Sequence, residues 1–145
     1  LAGEINHRMP QYVVERSVLA LNEHTKSVLG SRVLIVGMAY KPNIDDTRET
    51  PSVEILKQLE SLGATLEYHD PHVASISNLR KHPDLRLHSV ALTEQTLKAV
   101  DLVIIATDHD AIDWALIGRT ASLIVDTRNV MERVADSVSA TIIKA

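Results

Sequence analysis

"VLIVGMAYKPNIDDTRETPS", Val33 to Ser52, decides how the chain is read. The run RVLIVG at 32–37 is a short, β-branched, buried strand that ends on Gly37. In a dinucleotide fold a Gly-rich phosphate loop follows such a strand. Against G-x-G-x-x-G, Gly37 fills the first place, but Ala39 and Pro42 hold the second and third. The second glycine normally lets backbone approach a pyrophosphate, and Ala39 puts a β-carbon into that space. Pro42 removes an N–H donor. About ten residues intervene before Thr50-Pro51 opens a helix. This turn cannot cradle phosphate in the usual way; side-chain cations in a long loop would have to do it. Loops of that length in compact domains are functional or disordered.

Outward from this stretch, strands and helices alternate. Residues 50–63 read as a helix capped by Thr50, with Pro51 at its first position, Gly63 at its end, and Val53, Leu56, Leu59 and Leu62 facing the core. Residues 64–70 are a second strand, 84–90 a short edge strand, and 92–100 a short helix capped by Thr93. Residues 101–107 form a buried strand, 110–117 a helical turn or two, and 121–128 another strand. The last ten residues are a strand or a frayed tail. Before all of this, residues 1–29 are mostly helix. Val13, Val14, Val18, Leu21, Thr25 and Val28 recur along it at helical steps, and Pro10 fits the first turn of a helix beginning near Met9. The expected fold class is α/β: a Rossmann-like three-layer domain with a mostly parallel sheet, preceded by a long helix. Its crossovers should be right-handed.

The 145 residues are 45% apolar, enough for one domain with a real core. Aromatics are 3% and Phe is absent, so that core is aliphatic. A net charge of −4 argues against nucleic acid or an anionic membrane as partner. The absence of cysteine excludes disulfides, thiolate metal sites and a cysteine nucleophile within this chain. No apolar run approaches the ~18 residues of a membrane span, and no signal peptide is visible; a cytoplasmic location is expected. The chain opens on Leu1, which raises the expectation of a fragment or processed product.

Ligands of open α/β sheets sit outside the carboxyl ends of the strands. There the sequence delivers Tyr40, Lys41, Asp45, Asp46 and Arg48; then Asp70 and His72; then Asp108 and His109; and finally Asp126 and Arg128. Lys41 and Arg128, with Arg48 nearby, suit an anionic ligand such as a diphosphate. A solvated charged loop is the bland reading of residues 41–48, and their strand-end position brings the two readings level. Asp70 lies 33 residues after Gly37, not the ~20 of a ribose-binding acid, so a turn role is favoured. Asp108, His109, Asp110 and Asp113 look like metal-ligand material, but their spacing fits no strong motif. A helix-capping Asp and a loop His are favoured there, Trp114 reads as core, and no metal site is expected. Tyr12 and the valine stripe of the first helix read as a packing interface.

"VLIVGMAYKPNIDDTRETPS", "LGATLEYHDPHV" and "LIVDTRN" together resemble the carboxyl-terminal domain of the UDP-glucose/GDP-mannose dehydrogenase family. "EINHRMPQYVV" is similar to the end of that family's central helix, so the resemblance runs from about Glu4 to Val130. It implies residues 1–29 as the end of a central dimerisation helix and 30–145 as a Rossmann-like nucleotide-sugar-binding domain. It implies oxidation of a C6 alcohol of a nucleotide sugar to a carboxylate with two NAD+, the NAD held by an amino-terminal domain upstream. Tyr40, Lys41 and Arg128 match the family's substrate-contacting positions, and Arg48 the arginine that reaches the NAD pyrophosphate. The family's cysteine nucleophile, which carries the substrate as a thiohemiacetal and then a thioester, also lies upstream. This chain contributes no catalytic residue on that reading and is expected to be inactive alone. The expected partners are a UDP-sugar, NAD and a second copy through the central helix. "LIVDTRN" and "TDHDAIDW" look more like the UDP-N-acetylhexosamine enzymes than the UDP-glucose ones. The alternatives are a stand-alone, non-catalytic nucleotide-binding or regulatory module and a purely structural dimerisation module.

Overall fold

A computed structural model describes residues 2–39, 42, 43, 47 and 50–145, with residues 2–8 described as helical backbone only. Five strands form one parallel sheet: β1 (Arg32–Val36), β2 (Thr65–His69), β5 (Leu102–Ile105), β6 (Leu123–Asp126) and β7 (Thr141–Lys144). Their order is β2-β1-β5-β6-β7, every neighbouring pair parallel. Side chains on a strand alternate between faces, and the core divides accordingly. Val33, Ile35, Leu102, Ile104, Leu123 and Val125 point to one face, where helices α1 (Ala2–Glu23) and α2 (Pro51–Ser61) pack. Leu34, Val36, Val103, Ile105 and Ile124 point to the other, under α3 (Glu94–Ala99), α4 (Trp114–Thr120) and the 3₁₀ segment Val130–Ser137. Three layers result, as the alternation of strands and helices requires.

The local signals that start these helices are visible in the structure. Thr50 caps α2, its Oγ1 accepting from Ser52 N at 3.3 Å, with Pro51 inside the first turn. Thr93 and Thr96 form a reciprocal capping box at α3: Thr96 N donates to Thr93 Oγ1 at 3.1 Å and Thr93 N to Thr96 Oγ1 at 2.9 Å. Asp113 caps α4 by accepting from Leu116 N at 3.0 Å. That cap moves the helix to 114–120, later than the 110–117 predicted from apolar spacing. Trp114 is core, as its sequence context suggested.

Two expectations need correction. Helix α1 begins at Ala2, not near Met9, and Pro10 lies inside it. Ala2, Glu4, Arg8 and Met9 are good helix formers, although Pro10, the ninth residue and beyond the first turn, costs the helix one N–H bond. Residues 84–90 do not extend the main sheet. Only Leu87–His88 (β4) is extended, paired antiparallel with Ser75–Ile76 (β3) in a separate two-stranded ribbon. The tail resolves as strand β7 on the edge of the sheet. The valine stripe of α1 is intramolecular: Val13, Val14, Ala20 and Leu21 are buried with α2, while Tyr12 and Leu19 remain exposed.

Candidate functional site

The chain leaves β1 on one side to make β2 and on the other to make β5, β6 and β7. This is the reversal that opens a crevice at the carboxyl ends of β1 and β5. Gly37 ends β1 at φ +97°. A β-carbon there would lie 2.5 Å from Thr107 Cβ and 2.6 Å from Thr107 N, so only glycine fits. Gly37 O accepts from Ser52 Oγ at 2.9 Å, which ties the start of α2 to the turn.

The first two amides after Gly37 are already occupied. Met38 N and Ala39 N donate to Asp70 Oδ2 at 2.7 and 3.0 Å. Asp70, at the end of β2, is 2% exposed. Its Oδ1 accepts from His72 N at 2.7 Å, the local turn that the sequence suggested. Its Oδ2 also accepts from His109 Nε2 at 2.8 Å. Burial alone would raise the Asp70 carboxyl, but the N–H groups of Met38, His72 and Ala39 and the His109 ring outweigh it. The group is held below the usual carboxylate range. Beside it, Tyr68 is fully buried and donates its hydroxyl to Val73 O at 2.9 Å. Burial first, and the Asp70 charge second, push that phenol up to about 12.

His109 is a loop residue, as its context suggested, but it is completely buried. Its Nδ1 accepts from Asn43 N at 2.7 Å. A backbone N–H only donates, so Nδ1 carries no proton and the ring proton sits on Nε2, facing Asp70. The Asn43 side chain then pairs reciprocally with Asp110: Nδ2 donates to Oδ2 at 3.0 Å, and Oδ1 accepts from Asp110 N at 2.8 Å. Asn43 sits at φ +63°, a conformation asparagine tolerates better than most residues. Thr107 Oγ1 donates to Ala39 O at 2.8 Å. Residues 39 and 43 are thereby both fastened to the end of β5, on either side of residues 40–42.

Arg128 reaches the same mouth from β6. Its Nε donates to Ala106 O at 3.0 Å, and its backbone N–H to Asp126 Oδ1 at 3.0 Å. Asp126 Oδ2 accepts from Met131 N at 2.9 Å, which starts the 3₁₀ segment. The half-buried guanidinium is thus held at the end of β5, and among the described residues its Nη atoms have no protein partner. The other expected site residues, Tyr40, Lys41 and Arg48, lie outside the described residues, as do Asp45 and Asp46. A separate cleft of about 490 Å³ lies beside the start of α2, lined by residues including Thr47, Thr50, Glu54, Asn78, Arg80 and His82. His82 Nε2 and Glu54 Oε1 meet there at 2.9 Å.

Among the described residues no group of three or more His, Cys, Asp or Glu is arranged to hold a metal, and no helix is long and apolar enough to cross a membrane. The sequence reading placed Arg128 just beyond a strand end, where the structure has it, but missed Asp70 and His109 as linked residues. The signal was an Asp directly after a strand, facing a turn whose glycines are gone.

A sequence model described as "UDP-glucose/GDP-mannose dehydrogenase family, UDP binding domain" matches residues 34–133. The UDP-N-acetyl-D-mannosamine dehydrogenase of Methanococcus maripaludis is 30% identical over 139 residues, covering 90% of this chain and 30% of that protein. A UDP-glucose dehydrogenase structure from Pyrobaculum islandicum superposes with a TM-score of 0.67 at 29% identity, covering 94% of this chain and 29% of that one. The UDP-D-ManNAc dehydrogenase structure from Pyrococcus horikoshii gives a TM-score of 0.76 at 23% identity, over 97% of this chain and 31% of that one, a likeness of fold. The chain spans about 30% of the length of the curated relatives it matches.

Proposed function

The chain belongs to the UDP-glucose/GDP-mannose dehydrogenase family, and we propose that it binds the nucleotide-sugar substrate of an NAD-dependent UDP-sugar 6-dehydrogenase. The observation that carries this reading is at the first turn. The Met38 and Ala39 N–H groups, which would meet a dinucleotide's phosphate in a cofactor-binding domain, are occupied by the chain's own Asp70. Arg128 is held instead at the end of β5, where its Nε donates to Ala106 O. A fixed guanidinium at a strand mouth suits a diphosphate.

Tyr40 and Lys41 lie in sequence between Ala39 and Asn43, both fastened at this mouth, and are proposed to join Arg128 on the UDP moiety. Arg48 is proposed to meet the NAD pyrophosphate. Its neighbour Thr47 and the nearby Thr50 line a different cleft, which supports separate ligands for the two ends of the loop. NAD, when bound, supplies the hydride acceptor for oxidation of the C6 alcohol. It is held mainly by a domain outside this chain, as is the cysteine nucleophile. Residues 1–29 are proposed as the end of the central dimerising helix, with Tyr12 and Leu19 on its exposed face, and 30–145 as the substrate domain. The sugar is proposed to be a UDP-N-acetylhexosamine, in keeping with the mannosamine dehydrogenase named above. A cytoplasmic enzyme without membrane or nucleic-acid partners completes the reading.

Calorimetric titration with UDP tests it. The unaltered protein should bind UDP, and Arg128→Lys should lose about 2 kcal/mol of that binding, because lysine's single nitrogen lacks the planar fork in which Nε holds Ala106 O and leaves the Nη donors for a phosphate. No UDP competition at millimolar concentration overturns the proposal. The chain alone should form no NADH with any UDP-sugar; robust turnover would overturn the assignment of the nucleophile to another segment.

A further inference from the structure

Resting on that nucleotide-binding reading, we infer that Asp70, His109 and Asp110 are positioning residues that fix Ala39 and Asn43, which stand on either side of the segment carrying Tyr40 and Lys41 in the sequence. The inference stands on where the bonds go. One carboxylate oxygen of Asp70 holds the entry to the segment through Met38 N and Ala39 N, and accepts from His109 Nε2. The opposite nitrogen of the same ring holds the exit through Asn43 N. Asp110 adds two bonds to the Asn43 side chain. Entry and exit are therefore bridged through one buried imidazole. Its two nitrogens have fixed and opposite roles, because Asn43 N–H can only donate.

The chemistry has a direct consequence for binding. A loop without Gly-rich backbone contacts depends on side chains to meet a diphosphate. Long side chains gain affinity only when their backbone is already placed, since ordering a free loop at the moment of binding subtracts from the interaction. The Asp70–His109–Asn43 chain fixes the backbone at Ala39 and Asn43 from the interior.

Three variants test this. His109→Ala removes both bonds and should weaken UDP binding about tenfold, the order seen when an outer partner of a ligand-contacting group is lost. His109→Asn offers its Oδ1 in place of Nδ1, keeps an acceptor for Asn43 N–H, and should recover most of that loss. Asp110→Ala, at the surface, should weaken binding by a few-fold. Amide exchange at Ala39 and Asn43 should rise in His109→Ala while the amides of β5 keep their protection. Unchanged UDP affinity in all three variants overturns the inference, as does exchange that rises equally in loop and sheet. If the His109 variants do not fold, Asp110→Ala decides: unaltered affinity and unaltered exchange at Asn43 overturn it. UDP binding that is lost in Arg128→Lys but intact in the His109 and Asp110 variants overturns this inference alone. No UDP binding by the unaltered protein overturns the nucleotide reading and this inference with it.

Discussion

Asp70 and Asp126 are the same residue type at the same depth, each 2% exposed, at the carboxyl ends of β2 and β6. They use their oxygens differently. Asp126 accepts from Arg128 N and Met131 N, both within its own following turn. Asp70 serves its own turn through His72 N, but it also accepts from Met38 N, Ala39 N and His109 Nε2, which come from two other strand ends. One aspartate shapes a local turn; the other joins three segments at the crevice. Burial alone therefore does not measure how much structure a carboxylate carries.

Asp70→Asn should break this contrast with the largest effect. Asparagine leaves one acceptor oxygen and turns an NH2 group toward an N–H donor, with the charge gone. The expected loss is about 3 kcal/mol or more, read by denaturant unfolding. A loss below about 1 kcal/mol would make Asp70 another turn residue. Its pH dependence gives a second check. The folded-state carboxyl lies below its unfolded value, so the unfolded chain binds the extra proton. The stabilisation is fully present above the unfolded carboxylate pKa of about 4 and is lost as pH falls through the lower folded value. Asp70→Asn should flatten the acid limb of the stability profile, and an unchanged limb would contradict that linkage.

Asp126→Asn should cost less, about 1–2 kcal/mol, because one of its two local N–H groups keeps an acceptor. The measurement that sharpens the comparison is where protection is lost. Amide exchange should rise over residues 128–131 in this variant, and at Met38 and Ala39 in Asp70→Asn. Exchange spreading over both regions in either variant would mean that the two aspartates belong to one cooperative unit.

The same contrast explains what was legible in the sequence. Strands β1, β5 and β6 are apolar runs with no competing pattern, and Thr50-Pro51 and Thr93 announce their helices through neighbours two or three residues away. The Asp-x-Arg end of β6 is local in the same sense, so the strand-end position of Arg128 was legible. The β3–β4 ribbon has two residues on each side, too few for a period to register. The 3₁₀ segment starts from Asp126, not from a helical apolar stripe. The Asp70–His109 bond joins residues 39 apart, and only the placement of β1 between β2 and β5 brings them together. That order is a tertiary outcome which no single segment encodes.

Asp101 separates range from burial. Like Asp70 it bridges distant segments: Oδ2 accepts from Arg32 N at 2.8 Å and Oδ1 from Lys26 Nζ at 2.6 Å, joining the starts of β5 and β1 to the linker after α1. Unlike Asp70 it is open to water, with 29% of its side chain exposed. The Lys26 contact first, and the Arg32 N–H second, hold its carboxyl below the usual range. Water screens that pair, and Asn at this position keeps an acceptor for Arg32 N. Asp101→Asn should therefore cost only about 0.5–1 kcal/mol, falling further at high salt. A loss as large as that of Asp70→Asn would show that bridging distance sets the cost. A small loss beside a large one for Asp70 leaves burial and bridging acting together, the condition that Asp70 meets at the crevice.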